Sequence, residues 1–254
     1  MGDVQSWRSV KGGSDRKSLG TTSNPVMNRS PWIKGFLRTA AATLVYAAVH
    51  SFFASRTAKR LAAKLAGQRN VNALYRPFYL VQSAITIAPL IAYIRRQPTR
   101  VLYENTGLAA LPFRAIQAGG ICWATTAAYE VGLSEILGIR PAGCLFAGAA
   151  EIAPEPAAQG PALLNGHMKA RGPFCITRHP LNVAPLPIIW FFPRMTTNLL
   201  AFNLVSTGYL VLGSALEEKR LLERYGSAYA EYRLSGVPFY LPRIVPSEDL
   251  PCRL

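Results

Sequence analysis

The sequence predicts an all-α, multi-pass integral membrane bundle of about five apolar segments, with the last two forming a kinked hairpin before an amphipathic cytoplasmic helix at the C-terminus. Half of the 254 residues are apolar and only 16% are charged. The apolar residues gather in blocks, which is typical of a membrane protein rather than of a single soluble core. These blocks cover residues 39–54, 77–94, 115–133, 181–193 and 197–216.

Block length decides which of these segments can span a membrane. A helix needs about 20 residues to cross the hydrocarbon of a bilayer. The second, third and fifth blocks reach this length, and the first is marginal. The fourth is short and contains Pro185, Pro187 and Pro193, and proline kinks a helix by removing a backbone hydrogen bond. We therefore expect the fourth and fifth blocks to form a kinked hairpin that turns at 193–197.

The polar parts of the chain divide it into a tail and a membrane domain. Residues 1–31 are rich in Ser, Gly, Asn and basic residues, which predicts a disordered basic tail. The membrane domain then covers 32–254. Within it, the Gly-, Ala- and Pro-rich stretch 134–171 is predicted to be an irregular loop that could cover a site.

The net charge of +15 is explained by a membrane setting. Cytoplasmic loops collect Lys and Arg, and anionic head groups attract them. We therefore expect membrane lipids as partners and no nucleic acid, since no nucleic-acid motif accompanies the charge. Residues 55–76 carry six basic residues and no acid, which predicts a cytoplasmic loop. Two crossings and the hairpin then place 134–180 and Glu217 on the cytoplasmic side. The basic tail would lie outside if the first block spans, against the same rule, unless that block is only partly inserted.

The four cysteines are scattered. Cys122, Cys144, Cys175 and Cys252 show no CxxC spacing, which favours neither a disulfide framework nor a zinc site. We predict no metal.

Two polar segments flank the predicted hairpin. The first runs from Gly172 to Asn182 and contains Arg178, His179 and Pro180. The second begins with Glu217 and Glu218 and continues to Pro242. Polar clusters near lipid are costly, which favours a functional interpretation. Helical spacing places one set on a common face: Glu218, Leu222, Tyr225, Tyr229 and Tyr232. An amphipathic interfacial helix with tyrosines at head-group depth is the alternative.

Together these segments resemble the isoprenylcysteine carboxyl methyltransferase superfamily, which includes the phospholipid N-methyltransferases. Arg178-His179-Pro180 matches its first motif. The second motif is matched by Glu217, Glu218, Leu221, Tyr225, Gly226, Tyr229, Tyr232, Val237 and Pro238. The family usually has Tyr at position 182 and Gly at 184, where this chain has Asn and Ala. Val49-His50-Ser51 and 137–140 look like bacterial methanethiol S-methyltransferases and NnrU-type membrane proteins, which favours a small bacterial-type member.

The resemblance implies methyl transfer from S-adenosylmethionine to a small thiol, a lipid or a prenylcysteine-type acceptor. The motif-bearing part is 170–243. By resemblance, the catalytic residues are Arg178, His179 and Glu218. The residues implied to bind the cofactor are Arg178, His179, Pro180, Glu217, Glu218, Tyr229 and Tyr232.

Two other functional classes remain open at the sequence level. One is an NADPH-dependent membrane reductase of the sterol or steroid type, because those enzymes carry Asn close to position 182. The Glu217-Glu218 pair fits methyltransferases better. The other is a non-enzymatic NnrU-like membrane protein. The sequence specifies neither the acceptor nor the oligomeric state.

Overall fold

The computed structural model describes residues 31–154 and 160–242. This part of the chain is mostly helical, as predicted. The predicted tail lies outside it except for Pro31. The helices are α1 (Pro31–Ala54), α2 (Arg56–Ala66), α3 (Gln68–Arg96), α4 (Leu111–Val131), α5 (Leu133–Leu137), α6 (Ile139–Phe146), α7 (Pro180–Val183), α8 (Pro185–Trp190), α9 (Thr197–Tyr225) and α10 (Ser227–Leu234).

Three of the described helices, α1, α3 and α9, are long and apolar enough to cross a membrane. The first block, marginal by sequence, thus becomes part of a 24-residue helix. The third block lies in α4, which does not meet the same criterion, so the predicted five segments are not all found. Even so, α4 runs between the two ends of the bundle, because Phe113 contacts Phe191 and Glu130 lies beside Gly172.

Of the three long helices, α1 packs against both α9 and α3. Helices α1 and α9 run parallel, since Ser51 Oγ donates to Tyr209 Oη at 3.1 Å and, farther along, Arg56 pairs with Glu223. Helix α3 is antiparallel to α1, because its early Tyr75 donates to the carbonyl of Phe53 near the end of α1. The end of the bundle that carries Arg56 and Glu223 is called the motif end below.

The predicted kinked hairpin is present, but its turn is a strand. Helix α7 ends at Val183, and Pro185 begins α8. After α8 comes strand β4 (Arg194–Thr196), which pairs antiparallel with β1 (Val101–Glu104), so that Val101 faces Thr196 and Glu104 faces Arg194. The all-α prediction therefore omitted a two-stranded ribbon at the end opposite the motifs.

A second ribbon corrects the predicted loop at 134–171. Helices α5 and α6 occupy its first part, and β2 (Ala162–Leu164) pairs with β3 (His167–Lys169) in its last part. Asn165 and Gly166 form the turn with φ of 51° and 80°. Positive φ at both central residues is the geometry that Asn-Gly favours in tight hairpins. Residues 155–159 of the stretch lie outside the described part.

The main core of the motif end lies between the two motif segments. Phe174, Leu221, Tyr229, Tyr232 and Val237 are buried together there with Ala170. Because side chains of both motif segments pack in this one core, each segment stabilises the position of the other. Cys175 packs against this core.

Candidate functional site

The Arg-His segment is held by backbone contacts with the segment that follows α10. A short 3-10 turn, Gly172–Cys175, leads into it. Thr177 Oγ1 donates to the carbonyl of Tyr240 at 2.8 Å, and the amide of Arg178 donates to the carbonyl of Pro238 at 3.0 Å. His179 then precedes α7, whose first residue is Pro180. Proline suits this position because the first helical amide has no intrahelical acceptor.

Glu218 stands at the centre of the site. Its Oε1 accepts from Arg178 Nε at 2.7 Å and from Tyr229 Oη at 3.0 Å. The same oxygen lies 3.3 Å from His179 Nε2, and Oε2 lies 3.2 Å from Arg233 Nε. The side chains of Arg178 and Glu218 are each 11% exposed. A carboxylate this enclosed needs such partners, since an unpaired buried charge is strongly destabilising.

His179 lies between the two carboxylates. Its side chain is 1% exposed, and its Nδ1 lies 3.3 Å from Glu217 Oε2. Burial lowers the pKa of His179, but hydrogen bonds and charge attraction from Glu217 and Glu218 outweigh it, so the pKa is raised above its ordinary value. The site therefore favours the imidazolium form, which suits charge pairing better than proton abstraction.

Asn182 extends the network along α7. Its Nδ2 donates to Ser214 Oγ at 2.9 Å and to Glu217 Oε2 at 3.1 Å. The Asn182 carbonyl also accepts from Tyr240 Oη at 2.9 Å. Asn182, which in the sequence is a departure from the methyltransferase pattern and a likeness to the reductases, thus orients Glu217 toward His179.

The two tyrosines of the second segment have different partners. Tyr229 is fully buried and donates to Glu218. Tyr232 donates instead to the carbonyl of Phe174 at 2.5 Å, so it fastens the 3-10 turn rather than forming the wall of an open cavity. Burial raises the pKa of both hydroxyls, and the Glu218 carboxylate raises that of Tyr229 further. Both hydroxyls therefore remain protonated donors.

The common helical face expected for this segment is not continuous. Helix α9 ends at Tyr225, and Gly226 has a φ of 52°, a conformation that glycine adopts without strain. Residues 11 apart in one helix would be separated by roughly 16 Å along its axis. The chain instead turns at Gly226, and this lets Tyr229 reach Glu218.

Sequence reasoning missed two side chains that complete the cluster. Arg233 reaches Glu218 from α10 while its own side chain is 43% exposed. Phe239 presents its ring to the Arg178 guanidinium at 5.8 Å and to the His179 ring at 5.3 Å. Two signals in the sequence were available: Arg233 directly follows Tyr232, and Gly226 is a residue at which the preceding helix can bend.

A polar cleft lies at the cluster, and a separate apolar cavity lies between α4 and α8. The polar cleft, of about 30 Å³, is lined by Phe174, Arg178, His179, Pro180, Leu181, Asn182 and Glu217. This cleft alone is too small for a nucleoside. The apolar cavity, of about 450 Å³, is lined by residues of α4 and α8 that include Trp123 and Trp190, and by Val183 and Ala184, which follow Asn182 in the sequence. Its size falls within the range of roughly 300–1,000 Å³ seen for small-molecule sites.

His50 lies apart from the Arg-His and Glu-Glu segments. It lies on α1 and faces α3, with its Nε2 2.5 Å from Tyr79 Oη and its Nδ1 3.1 Å from Ser83 Oγ. These contacts fit the hydrogen-bonded structural role that is usual for a membrane histidine. Among the described residues there is no group of three or more His, Cys, Asp or Glu side chains suited to a metal ion.

Comparison with known proteins finds relatives whose names describe a methyltransferase. Methanethiol S-methyltransferase 2 of Bradyrhizobium diazoefficiens is 29% identical over 203 residues, which cover 79% of this chain and 70% of that protein. Methanethiol S-methyltransferase of a Pseudomonas species is 28% identical over 80% of the chain and 72% of its own length. The chain is a homologue of proteins named methanethiol S-methyltransferase. A shorter stretch of 69 residues, 27% of the chain and 26% of the relative, is 41% identical to the protein of that name from Pseudomonas deceptionensis.

These homologues are consistent with the isoprenylcysteine-methyltransferase-like superfamily that the motifs resemble. No family model and no solved structure matches the chain. The relationship therefore rests on the curated relatives and on the motifs.

Proposed function

We propose that the chain is an integral membrane methyltransferase that transfers the methyl group of S-adenosylmethionine to a small thiol. The observation that carries this proposal is the cluster of Arg178, His179 and Glu218 in a homologue of proteins named methanethiol S-methyltransferase. The names of the relatives support methyl transfer and a thiol acceptor. The cluster supports the choice of methyl donor.

The charged groups of the cluster match the amino-acid end of this cofactor. A guanidinium pairs well with a carboxylate, and a carboxylate pairs well with an ammonium group. Arg178 and Glu218 are paired with each other at 2.7 Å. The amino-acid end of the cofactor carries one carboxylate and one ammonium group. The carboxylate can pair with Arg178 and the ammonium with Glu218, so that neither protein charge is left unpaired. Arg178 and Glu218 are therefore the residues that we assign to the cofactor carboxylate and ammonium.

The apolar cavity supports the rest of the assignment. Trp123 and Trp190 line it, and aromatic faces suit both an adenine ring and a cationic sulfur. The cavity has almost no polar lining beyond these rings, which suits a small uncharged thiol better than a charged acceptor. The sequence left lipid and prenylcysteine acceptors open. They are less favoured because the relatives that match most of the chain are named for a small thiol.

When bound, this cofactor supplies a methyl group on a positively charged sulfur, and its transfer is an in-line displacement that depends on alignment. The chain contributes binding and positioning. Asn182 holds Glu217, and Glu217 holds His179. His179 and Tyr229 in turn hold Glu218. We assign His179 to charge pairing rather than to the role of general base, because its surroundings favour the imidazolium.

We also propose that the motif end faces the cytoplasm. The 55–76 segment, with its six basic residues and no acid, includes α2 and the start of α3 at that end of the bundle. The excess of Lys and Arg in cytoplasmic loops supports this orientation.

A titration of the purified full-length chain tests the proposed cofactor. In detergent, S-adenosylhomocysteine and S-adenosylmethionine should give saturable heats by isothermal calorimetry, and NADPH should give none. Methanethiol should then be consumed only when S-adenosylmethionine is present. Binding of NADPH without a response to either adenosyl compound would replace the proposal with the reductase alternative. Binding of none of the three would favour the NnrU-like alternative.

A further inference from the structure

Helix α2 has a basic side and an apolar side. Successive residues turn by about 100° around a helix, so Arg56, Lys59, Arg60 and Lys64 fall on one side of α2. Its leucines and most of its alanines fall on the other side. The helix contains no acidic residue. Such an amphipathic pattern, with basic residues opposite leucines, is typical of a helix that lies in a membrane interface.

The apolar side of α2 is only partly covered by protein. Ala58 is buried against Val71 and Tyr75 of α3. Leu61 and Leu65 are 52% and 82% exposed. Two leucines one helical turn apart would expose a continuous apolar strip to water at this end of the molecule. Contact with the acyl-chain boundary of a bilayer removes that strip from water.

The position of α2 places it at head-group level. It follows the candidate span α1 after the single residue Ser55, whose Oγ accepts from the amide of Ala58. Gly67, with φ of 84°, then joins it to the candidate span α3. A short helix between the same ends of two adjacent spans lies at the membrane surface.

The four basic residues of α2 divide into two pairs. Arg56 is bound to Glu223 of α9, and Lys59 lies over the ring of Tyr75 at 5.6 Å. Arg60 and Lys64 are exposed, and within the described part of the chain neither forms an ion pair. Long basic side chains beside an apolar strip can extend along it to reach lipid phosphates.

We propose that α2 is a binding surface for anionic phospholipid, with Leu61 and Leu65 in the acyl-chain boundary and Arg60 and Lys64 on the head groups. Each basic residue close to an anionic surface strengthens binding about fivefold at low salt. The pair should therefore favour anionic over uncharged head groups severalfold, and salt should weaken this preference.

A tryptophan introduced into α2 can report on this contact directly. The substitution Leu65→Trp changes a residue that is 82% exposed, so the fold should tolerate it. The full-length variant is reconstituted in nanodiscs of phosphatidylcholine and phosphatidylglycerol in which either one lipid or the other carries brominated acyl chains. After subtraction of the parent protein's signal, quenching per mole fraction should be several-fold stronger when phosphatidylglycerol carries the bromine.

Two double variants in the Leu65→Trp background locate the effect. The quenching ratio is the quenching by brominated phosphatidylglycerol divided by that by brominated phosphatidylcholine. Arg60→Gln with Lys64→Gln should bring this ratio close to one. Arg95→Gln with Arg96→Gln, at the last turn of α3, should leave it unchanged. Equal quenching by both lipids before these changes would show that α2 does not recognise head-group charge. Emission like that of tryptophan in water, without quenching, would show that α2 does not enter the membrane interface. Either result overturns the proposal.

Discussion

Replacing Glu218 by glutamine removes the charge at the centre of the cluster while keeping the size of the side chain. The side chain of Glu218 is 11% exposed and is contacted by Arg178, His179, Tyr229 and Arg233. Removing one partner of a buried ion pair costs about 3–5 kcal/mol. Glu217 remains 3.3 Å from His179, and Arg233 can turn to solvent, so we expect about 2–3 kcal/mol, at or below the lower end of that range.

The matched control is Glu223→Gln on the same helix. Glu223 pairs with Arg56, but both side chains are exposed, at 44% and 64%, and an exposed pair contributes only about 0–1 kcal/mol. Thermal unfolding in detergent should show a clear loss for Glu218→Gln and little change for Glu223→Gln. Calorimetry should show S-adenosylhomocysteine affinity falling by about 10- to 150-fold in Glu218→Gln alone, the loss of one charge-assisted bond. Equal effects of both variants on stability and affinity would refute the central role of Glu218.

Two further predictions concern pH and packing. The folded-state pKa of His179 is raised. The stability that this shift contributes is therefore fully present below the unfolded pKa of about 6.5 and is lost as pH rises through the folded-state pKa. Unfolding measured across pH should show this loss, and the His179→Gln variant should lack this pH dependence. In α4, a Cβ at Gly120 would lie 2.8 Å from Pro187 Cγ and 2.9 Å from Ile188 Cγ1, whereas one at Gly119 meets nothing within 4 Å. Gly120→Ala should therefore destabilise by about 1–3 kcal/mol, and Gly119→Ala should not; equal melting temperatures would contradict this packing.

Periodicity and composition were sufficient for the helices but not for the ribbons. Blocks of apolar residues predicted the long helices because a membrane span has a minimum length. Strands β1 and β4 have three or four residues each, too few for an alternating pattern to stand out. The Asn165-Gly166 pair is a strong hairpin signal, but the Gly-, Ala- and Pro-rich composition of 134–171 as a whole predicts an irregular loop.

The motifs predicted which residues meet, but not how they meet. Arg178, His179, Glu217 and Glu218 lie in one network, as a returning hairpin requires. The place of Tyr229 depends on the turn at Gly226, and that turn depends on one glycine conformation rather than on spacing. Arg233 reaches Glu218 only because of the same turn. Contacts made through a single backbone conformation are not encoded in helical periodicity.

The composition of the cluster favours a binding role over a purely structural one. A buried ion pair is seldom the most stable way to fill a site, because the cost of desolvating both charges offsets their attraction. A chain selected only for stability could place apolar side chains between α7, α9 and α10. This chain places two carboxylates, a histidine and two arginines there. Two of these groups keep contact with solvent, since the side chains of Glu217 and Arg233 are 23% and 43% exposed. Under the proposed function, Glu217 and Arg233 would be the groups that a polar ligand meets first, and the buried contacts of Arg178, His179 and Glu218 would keep those side chains in position.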